Sequence, residues 1–100
     1  MVQIKYRGKI YDAEVADSMW KISKGLSFSF RKRNMFFVLP SEASWPFWMF
    51  GMFFPIKIIF MDKNKDVVDE FDAKPMSFDP RTWRTYKPAR PAKYVLEIPI

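Results

Sequence analysis

The 100-residue sequence contains no cysteine and no histidine. It therefore has no disulfide, no thiol nucleophile and none of the usual cysteine or histidine ligands of zinc. The lack of histidine also removes the commonest general base and the histidine that activates a serine nucleophile. With three glycines in the whole chain there is no glycine-rich phosphate loop. These absences favour a protein that is not an enzyme and needs no cofactor, so we assign no catalytic residue and no metal ligand.

Long hydrophobic runs are also missing. The longest stretch without a charge, residues 43–56, is interrupted by Pro46, Gly51 and Pro55, whereas a spanning helix needs about 20 apolar residues. The N-terminal residues show no basic segment followed by an apolar one, as a secretory signal would. We therefore expect no transmembrane segment and a cytoplasmic location.

Hydrophobic residues make up 49% of the chain and charged residues 28%, a balance typical of a globular domain with its own core. The length predicts one domain, residues 1–100. Aromatic residues reach 19%, and they favour strands over helices. The formal net charge of +6 promotes contact with anionic partners without identifying one.

Alternation of apolar and polar residues indicates short strands. Val2, Ile4 and Tyr6 alternate with polar residues, and Arg7-Gly8-Lys9 reads as a hairpin loop in which Gly8 takes a positive φ. Similar patterns predict strands at 10–15, 35–39, 56–61, 67–71 and 94–98, with a polar turn at 62–66. Short helices are expected at 19–24 and 80–83. The fold class predicted is mainly β: a compact antiparallel sandwich or barrel with one or two short helices.

Five blocks of sequence resemble a known family. They are GLSF (25–28), MFFVLP (35–40), FWM (47–49), PIKIIFMD (55–62) and YVLEIP (94–99). In order and spacing they are similar to the G-L-M-F-R, M-L-F-V-F-P, F-W-M-K-N-T-x-x-P-L-D-I-I-F-I-D and Y-V-L-E-L-P blocks of the uncharacterised family named domain of unknown function 192. The resemblance implies a jelly-roll-like β domain and supplies no activity.

Two departures from the family pattern affect polar positions. Phe50-Gly51 stands where the family has Lys-Asn, and Lys57 stands where it has Asp. If those family positions form a ligand site, this chain has lost or rebuilt it.

The stretch from Trp45 to Phe54 consists of aromatic residues and methionine apart from Pro46 and Gly51. It is either a core strand with a turn or an exposed surface for a ligand or partner. Alternation cannot bury every ring, so at least one of Trp45, Trp48 and Phe50 should be exposed. The predicted ligand or interface surface comprises Trp45, Phe47, Trp48, Phe50 and Lys57.

Lys57 lies between Ile56 and Ile58 in a predicted strand. A lysine there either extends into water or pairs with an acid. If Lys57 pairs with an acid, the expected partner is Glu97, which lies between Leu96 and Ile98.

Two basic clusters are interleaved with aromatic residues, a composition suited to phosphate neutralisation and base stacking. The members of this basic-aromatic surface are Phe28, Phe30, Arg31, Lys32, Arg33, Arg81, Trp83, Arg84, Tyr86 and Lys87. Solvated basic faces are the alternative interpretation.

The sequence thus predicts a small binding or accessory module that acts through an aromatic surface on a ligand or a protein. Weak binding of single-stranded nucleic acid through the basic-aromatic surface is the alternative. A small-molecule pocket at the mouth of the sandwich, around Trp48 and Phe50, is a third possibility. We expect a monomer or a weak dimer.

Overall fold

A computed structural model describes residues 2–16, 33–44, 47–48, 54–74 and 85–100. These residues form eight strands and no helix, so none of them belongs to a helix that could cross a membrane. The strands are β1 (Val2–Tyr6), β2 (Lys9–Ala16), β3 (Met35–Ala43), β4 (Phe47–Trp48), β5 (Ile56–Met61), β6 (Val67–Ala73), β7 (Thr85–Tyr86) and β8 (Ala92–Pro99).

Six strands form one sheet in the order β1-β2-β3-β8-β5-β6, and β4 and β7 form a separate two-stranded ribbon. Within the large sheet, β2 and β3 run parallel and the other neighbours run antiparallel. The predicted β fold is confirmed, with one parallel pair where the prediction had all strands antiparallel. That pair is possible because residues 17–34 separate the two strands, and so long a connection allows either direction.

The β1–β2 hairpin turns at Arg7 and Gly8, which have φ angles of 49° and 77°. Positive φ at both central residues matches the right-handed twist of the flanking strands. The predicted hairpin and the predicted positive φ of Gly8 are confirmed.

The polar turn between β5 and β6 is also confirmed. The Asp62 carboxylate accepts hydrogen bonds from the backbone N–H groups of Asn64 and Asp66, at 2.8 and 3.1 Å. The turn places the Lys65 ammonium over the rings of Phe36 and Tyr94, 5.9 and 5.6 Å from their centroids. Cation–π contact therefore anchors the turn to the sheet.

The sheet is curled into a half-barrel. In a flat sheet, the outermost strands β1 and β6 would lie about 24 Å apart. Instead the Tyr6 hydroxyl is 2.6 Å from Glu70 Oε2. Tyr6 belongs to one hydrophobic cluster of the sheet, and Glu70 lies on the same face because it pairs with Ile59 of that cluster. The sheet therefore curls around this face.

The two faces carry separate hydrophobic clusters. The inner cluster, inside the curl, comprises Ile4, Tyr6, Ala13, Phe36, Ile59, Met61 and Leu96. The outer cluster, on the convex face, comprises Ala16, Met35, Phe37, Leu39, Phe54, Ile56, Ile58, Phe60, Ala73, Tyr86, Ala92 and Val95. The central strands are thus buried on both faces.

The element bounds differ from the predictions in three places. β3 continues past Pro40, which the sequence placed at its end; the exposed Pro40 is accommodated where the β3–β8 register shifts. The short strands β4 and β7 were not predicted individually. The helices predicted at 19–24 and 80–83 lie outside the described residues, and the jelly-roll topology stays a prediction.

Candidate ligand-binding site

One row of directly paired residues crosses the outer face of five strands. It runs from β2 through β3, β8 and β5 to β6 and consists of Glu14, Met35, Glu97, Ile58 and Phe71. Paired residues of neighbouring strands project from the same face of a sheet. Glu97 therefore projects from the outer face, between the side chains of Met35 and Ile58.

Glu97 is the one charged residue that is buried among the described residues, at 5% exposure. Both of its neighbours in the row belong to the outer cluster. No described residue forms a hydrogen bond or ion pair with its side chain. Burial raises the pKa of this carboxyl group to about 8, so the group is mainly protonated at pH 7.

Arg33 provides a second buried polar group on the outer face. Its Nε atom is buried and has no hydrogen-bond partner. Nε lies 3.3 Å from Glu14 Oε2, which is an ion-pair distance without hydrogen-bond alignment. Since Glu14 projects from the outer face, the ion pair places the Arg33 guanidinium there too.

The spacing between the two groups follows from the register. Arg33 precedes Met35 by two residues, and Met35 pairs with Glu97. Such diagonal neighbours have α-carbons about 7 to 8 Å apart. Arg33 and Glu97 thus lie in one corner of the outer face, called here the Arg33–Glu97 corner, that contains a buried unpaired donor, Arg33 Nε, and a buried acid.

The β4–β7 ribbon is attached to the same face. Phe47 pairs with Tyr86 and Trp48 with Thr85. Tyr86 is part of the outer cluster, its ring centroid lies 5.7 Å from that of Phe71, and its hydroxyl accepts a hydrogen bond from the Lys74 N–H at 3.3 Å. The structure thus joins the predicted aromatic stretch to one end of the predicted basic-aromatic surface.

Lys57 lies on the opposite face. It pairs across the strands with Asp72 and Ile98, and its ammonium is 3.2 Å from Asp72 Oδ1. The partner opposite Glu97 on β5 is Ile58. Because successive side chains of a strand alternate between faces, Lys57 and Glu97 point apart, and the pairing alternative is wrong. Lys57 is half-exposed and separate from the ribbon.

The basic-aromatic surface is placed only in part. Arg33 lies beside β3, whereas Tyr86 and the exposed Lys87 lie beside β6. Three strand spacings, about 14 Å, separate β3 from β6. The described members therefore lie on the same face at opposite sides of the sheet.

Most other predicted site residues lie outside the described part of the chain. These are Phe28, Phe30, Arg31, Lys32, Trp45, Phe50, Arg81, Trp83 and Arg84. Phe47 and Trp48 form strand β4, which pairs with β7.

The sequence interpretation missed the role of Glu97, which it considered only as a partner for Lys57. The signal was present: Val95 to Ile98 is apolar on both sides of this one acid. A strand apolar at consecutive positions is buried on both faces, so an acid within it is buried as well. Within the described residues there is no group of three or more acidic side chains arranged to hold a metal ion.

Solved structures share this fold. A protein of unknown function from Novosphingobium aromaticivorans superimposes with a TM-score of 0.77 and 26% identity over 90% of this chain, which spans 64% of that protein. A Sinorhizobium meliloti protein described as a proposed transcription regulator superimposes with a TM-score of 0.78 and 20% identity. The match covers 97% of this chain and 76% of that protein, and at this identity it shows the fold alone.

Sequence relatives come from species of Pyrococcus and Thermococcus. A UPF0127 protein of Pyrococcus furiosus is 39% identical over 97 residues, covering 93% of this chain and 78% of the relative. A UPF0127 protein of Pyrococcus abyssi is 33% identical over 99 residues, covering 97% and 76%. The sequence profile of DUF192, described as an uncharacterised ACR, matches residues 2–100. The chain therefore belongs to the DUF192 (UPF0127) family of uncharacterised proteins, as its sequence blocks indicated.

Proposed function

We propose that this chain is a non-catalytic binding module whose ligand contacts the outer face of the half-barrel at the Arg33–Glu97 corner. The observation that carries the proposal is the burial of Glu97 among apolar side chains without a hydrogen-bond partner in the described structure. Met35 and Ile58, which flank Glu97 in the row, supply apolar contact area next to this polar group.

The energetics of Glu97 support a functional interpretation. Placing a carboxyl group among apolar side chains costs free energy, because the group loses contact with water. A leucine or methionine in the same row would avoid that cost and add apolar burial. A group that lowers the free energy of unfolding in the free protein is typical of a site where a ligand supplies the missing partner.

The surroundings of Glu97 favour binding over catalysis. General acid–base chemistry on two carboxyl groups needs both to reach one substrate atom. Glu14, the other acid of the row, is two strand spacings away, about 10 Å, with Met35 between them. No serine, threonine or lysine of the described strands belongs to this row, so the corner offers recognition and no nucleophile.

Native mass spectrometry of the protein purified under non-denaturing conditions tests the proposal. We expect a bound small molecule on the wild type that is lost from Glu97→Leu. The same substitution should raise the free energy of unfolding, because it replaces an unpaired polar group with an apolar one. Loss of ligand from a more stable protein separates a binding role from a structural one.

Glu14→Gln is the matched control, because Glu14 lies in the same row but is half-exposed. It should retain the bound mass. A ligand that persists on Glu97→Leu, or a wild type that carries no ligand and binds none from a small-molecule screen, would remove the proposal.

A second candidate is weak binding of single-stranded nucleic acid. It is supported by the position of Arg33 and Tyr86 on one face, with the aromatic ribbon β4–β7 attached to that face. Anisotropy of a labelled mixed-sequence RNA at 50 and 300 mM salt tests it. Binding that collapses at high salt and weakens in both Arg33→Ala and Lys87→Ala supports this function; no binding at 50 mM salt excludes it.

A further inference from the structure

We infer that the free edge of β1 binds an extended peptide segment in which acidic and apolar residues alternate, and that this segment joins the sheet as a further strand. The free edge comprises the backbone N–H and C=O groups of Gln3 and Lys5 that point away from β2. It contains no residue of the Arg33–Glu97 corner, so this binding is additional to the proposed function. Within the described part of the chain, β1 is the end strand of the sheet and pairs with β2 alone.

The register of the β1–β2 hairpin shows which backbone groups are free. Its two-residue turn makes Tyr6 and Lys9 a hydrogen-bonded pair. Along an antiparallel ladder such pairs alternate with pairs that share no hydrogen bond, and the residues of the second kind direct their N–H and C=O groups to the other edge. Gln3 and Lys5 belong to the second kind.

The other strand of the hairpin follows the same alternation. Asp12 and Glu14 lie opposite the free edge in phase with Gln3 and Lys5, so their backbone groups should point toward β3. The Asp12 carbonyl accepts a hydrogen bond from the Asn34 side chain at 3.0 Å, and the Glu14 N–H donates to the Asn34 carbonyl at 3.0 Å. Because Asn34 directly precedes β3, both bonds agree with the register.

The edge of β6, at the other end of the sheet, is capped by a side chain. Asp69 Oδ1 accepts from the Glu70 N–H at 2.9 Å, and Asp69 Oδ2 accepts from the Ala89 N–H at 3.1 Å. Such a cap blocks strand pairing. No described side chain caps the backbone of Gln3 or Lys5, and both residues are exposed. The edge open to a new strand is therefore that of β1.

The residues of β1 define the side chains that an added strand needs. Ile4 and Tyr6 belong to the inner cluster, so Lys5 projects from the outer face. An added strand places its side chains on the same two faces. Acidic residues on its outer face would pair with Lys5, and apolar residues on its inner face would extend the inner cluster.

A second copy of this chain fits the edge poorly. The hairpin carries Lys5, Arg7 and Lys9 within five residues and no acid among them. Two β1 edges side by side would bring these cations together, and a lysine on an edge strand opposes such pairing. The acidic strand β6 of a second copy is capped by Asp69. Charge complementarity therefore favours an acidic segment of a different chain.

Nuclear magnetic resonance titration with a defined peptide tests the inference. The probe is an eight-residue peptide that alternates glutamate with valine, added to the ¹⁵N-labelled full chain at pH 7. The amide signals of Gln3 and Lys5 should shift, and their exchange with solvent should slow. A control peptide with proline in place of the two central valines keeps the charge but lacks two backbone donors, so it should bind about tenfold more weakly.

Variants separate strand pairing from charge attraction. Gln3→Pro removes an N–H that points away from β2, so the hairpin ladder is retained and peptide binding should fall about tenfold. Lys5→Gln should weaken binding about threefold, whereas Lys63→Gln, in the β5–β6 turn and also exposed, should leave it unchanged. The amide spectrum of each variant shows that it is folded.

Three results would overturn the inference. One is the absence of shifts at Gln3 and Lys5 with millimolar peptide. Another is equal binding of the two peptides, or binding unchanged by Gln3→Pro, since charge alone would then explain the contact. The third is protection of the Gln3 and Lys5 amides that grows with protein concentration in the absence of peptide, because a second copy would then occupy the edge.

Discussion

The Tyr6 hydroxyl donates a 2.6 Å hydrogen bond to Glu70 and so joins the two outermost strands of a six-stranded sheet. The residues are 64 positions apart in the chain. Arg7, the next residue of the hairpin, forms an ion pair with the same carboxylate. The half-barrel is thus closed by side chains on one side, where no backbone ladder continues between β1 and β6 among the described residues.

Tyr6→Phe should lower the free energy of unfolding by about 1 to 2 kcal/mol. The substitution removes a hydrogen bond to a charged group from a buried residue and keeps the ring in the inner cluster. Urea denaturation at pH 7 measures the change. Tyr11→Phe is the matched control: its ring contacts Tyr6 at 6.3 Å, its hydroxyl has no hydrogen-bond partner among the described residues, and its effect should be near zero.

The Tyr6 hydroxyl also makes the stability of the protein depend on pH in the alkaline range. Burial, followed by the hydrogen bond to Glu70, raises the pKa of Tyr6 from 10.0 to about 12. The folded state therefore favours the neutral phenol. Its stabilising contribution is complete below pH 10 and is lost as the pH rises through 12. The difference in stability between wild type and Tyr6→Phe should shrink over this range, and a constant difference would contradict the assignment.

Glu97 should make the protein less stable as the pH rises. Burial raises its pKa from 4.5 to about 8, so the folded protein favours the neutral acid and the unfolded chain ionises first. The stabilising contribution of the neutral acid is complete below pH 4.5 and is lost as the pH rises to about 8. Chemical denaturation between pH 4 and 9 should show this fall in wild type and a flatter profile in Glu97→Gln.

The other charges near Glu97 define the control for that experiment. Glu14 and Arg33 face the same side of the sheet, and the paired residues on β5 and β6 are the uncharged Ile58 and Phe71. Glu14→Gln should leave the fall between pH 4.5 and 8 in place. Equal flattening of the profile by Glu14→Gln would contradict the assignment of the fall to Glu97.

Lys57→Met should change the free energy of unfolding by less than about 1 kcal/mol. The lysine is 32% exposed and its partner Asp72 is 69% exposed, and ion pairs this accessible contribute little. A double-mutant cycle with Asp72→Asn at two salt concentrations measures the coupling, which should be small and weaker at high salt. A large coupling independent of salt would show that the pair is shielded from water.

Local sequence pattern was sufficient to predict the hairpins and most strands. The alternation of Val2, Ile4 and Tyr6, and Gly8 at the turn, are properties of neighbouring residues, and the structure confirms them. The parallel pairing of β2 with β3 depends on contacts made after a long connection, which no local pattern encodes. The curl depends on the contact between Tyr6 and Glu70. These residues are 64 positions apart in the chain, so no local pattern encodes this contact either.

For the candidate site, the sequence could indicate which residues take part but not how they lie relative to each other. The sequence identified Arg33, Tyr86 and the aromatic stretch as sites, and it noted Glu97 between apolar residues. It could not place Arg33 diagonally from Glu97, because that depends on the register of Met35 with Glu97. The register of Ile58 with Glu97 places Lys57 on the other face, since one residue along a strand reverses the direction of the side chain.

Ile58→Ala and Ile59→Ala should each lower the free energy of unfolding by about 2 to 5 kcal/mol, because both side chains are fully buried. The two residues are adjacent on β5, yet Ile58 belongs to the outer cluster and Ile59 to the inner one. In a sheet covered on one face, one of the two substitutions would have little effect. Ile10→Ala on β2, 62% exposed, is the control and should change stability by less than about 0.5 kcal/mol. Urea denaturation of the three variants at one pH measures these values, and a small effect at Ile58 would show that the outer face around Glu97 is open to water.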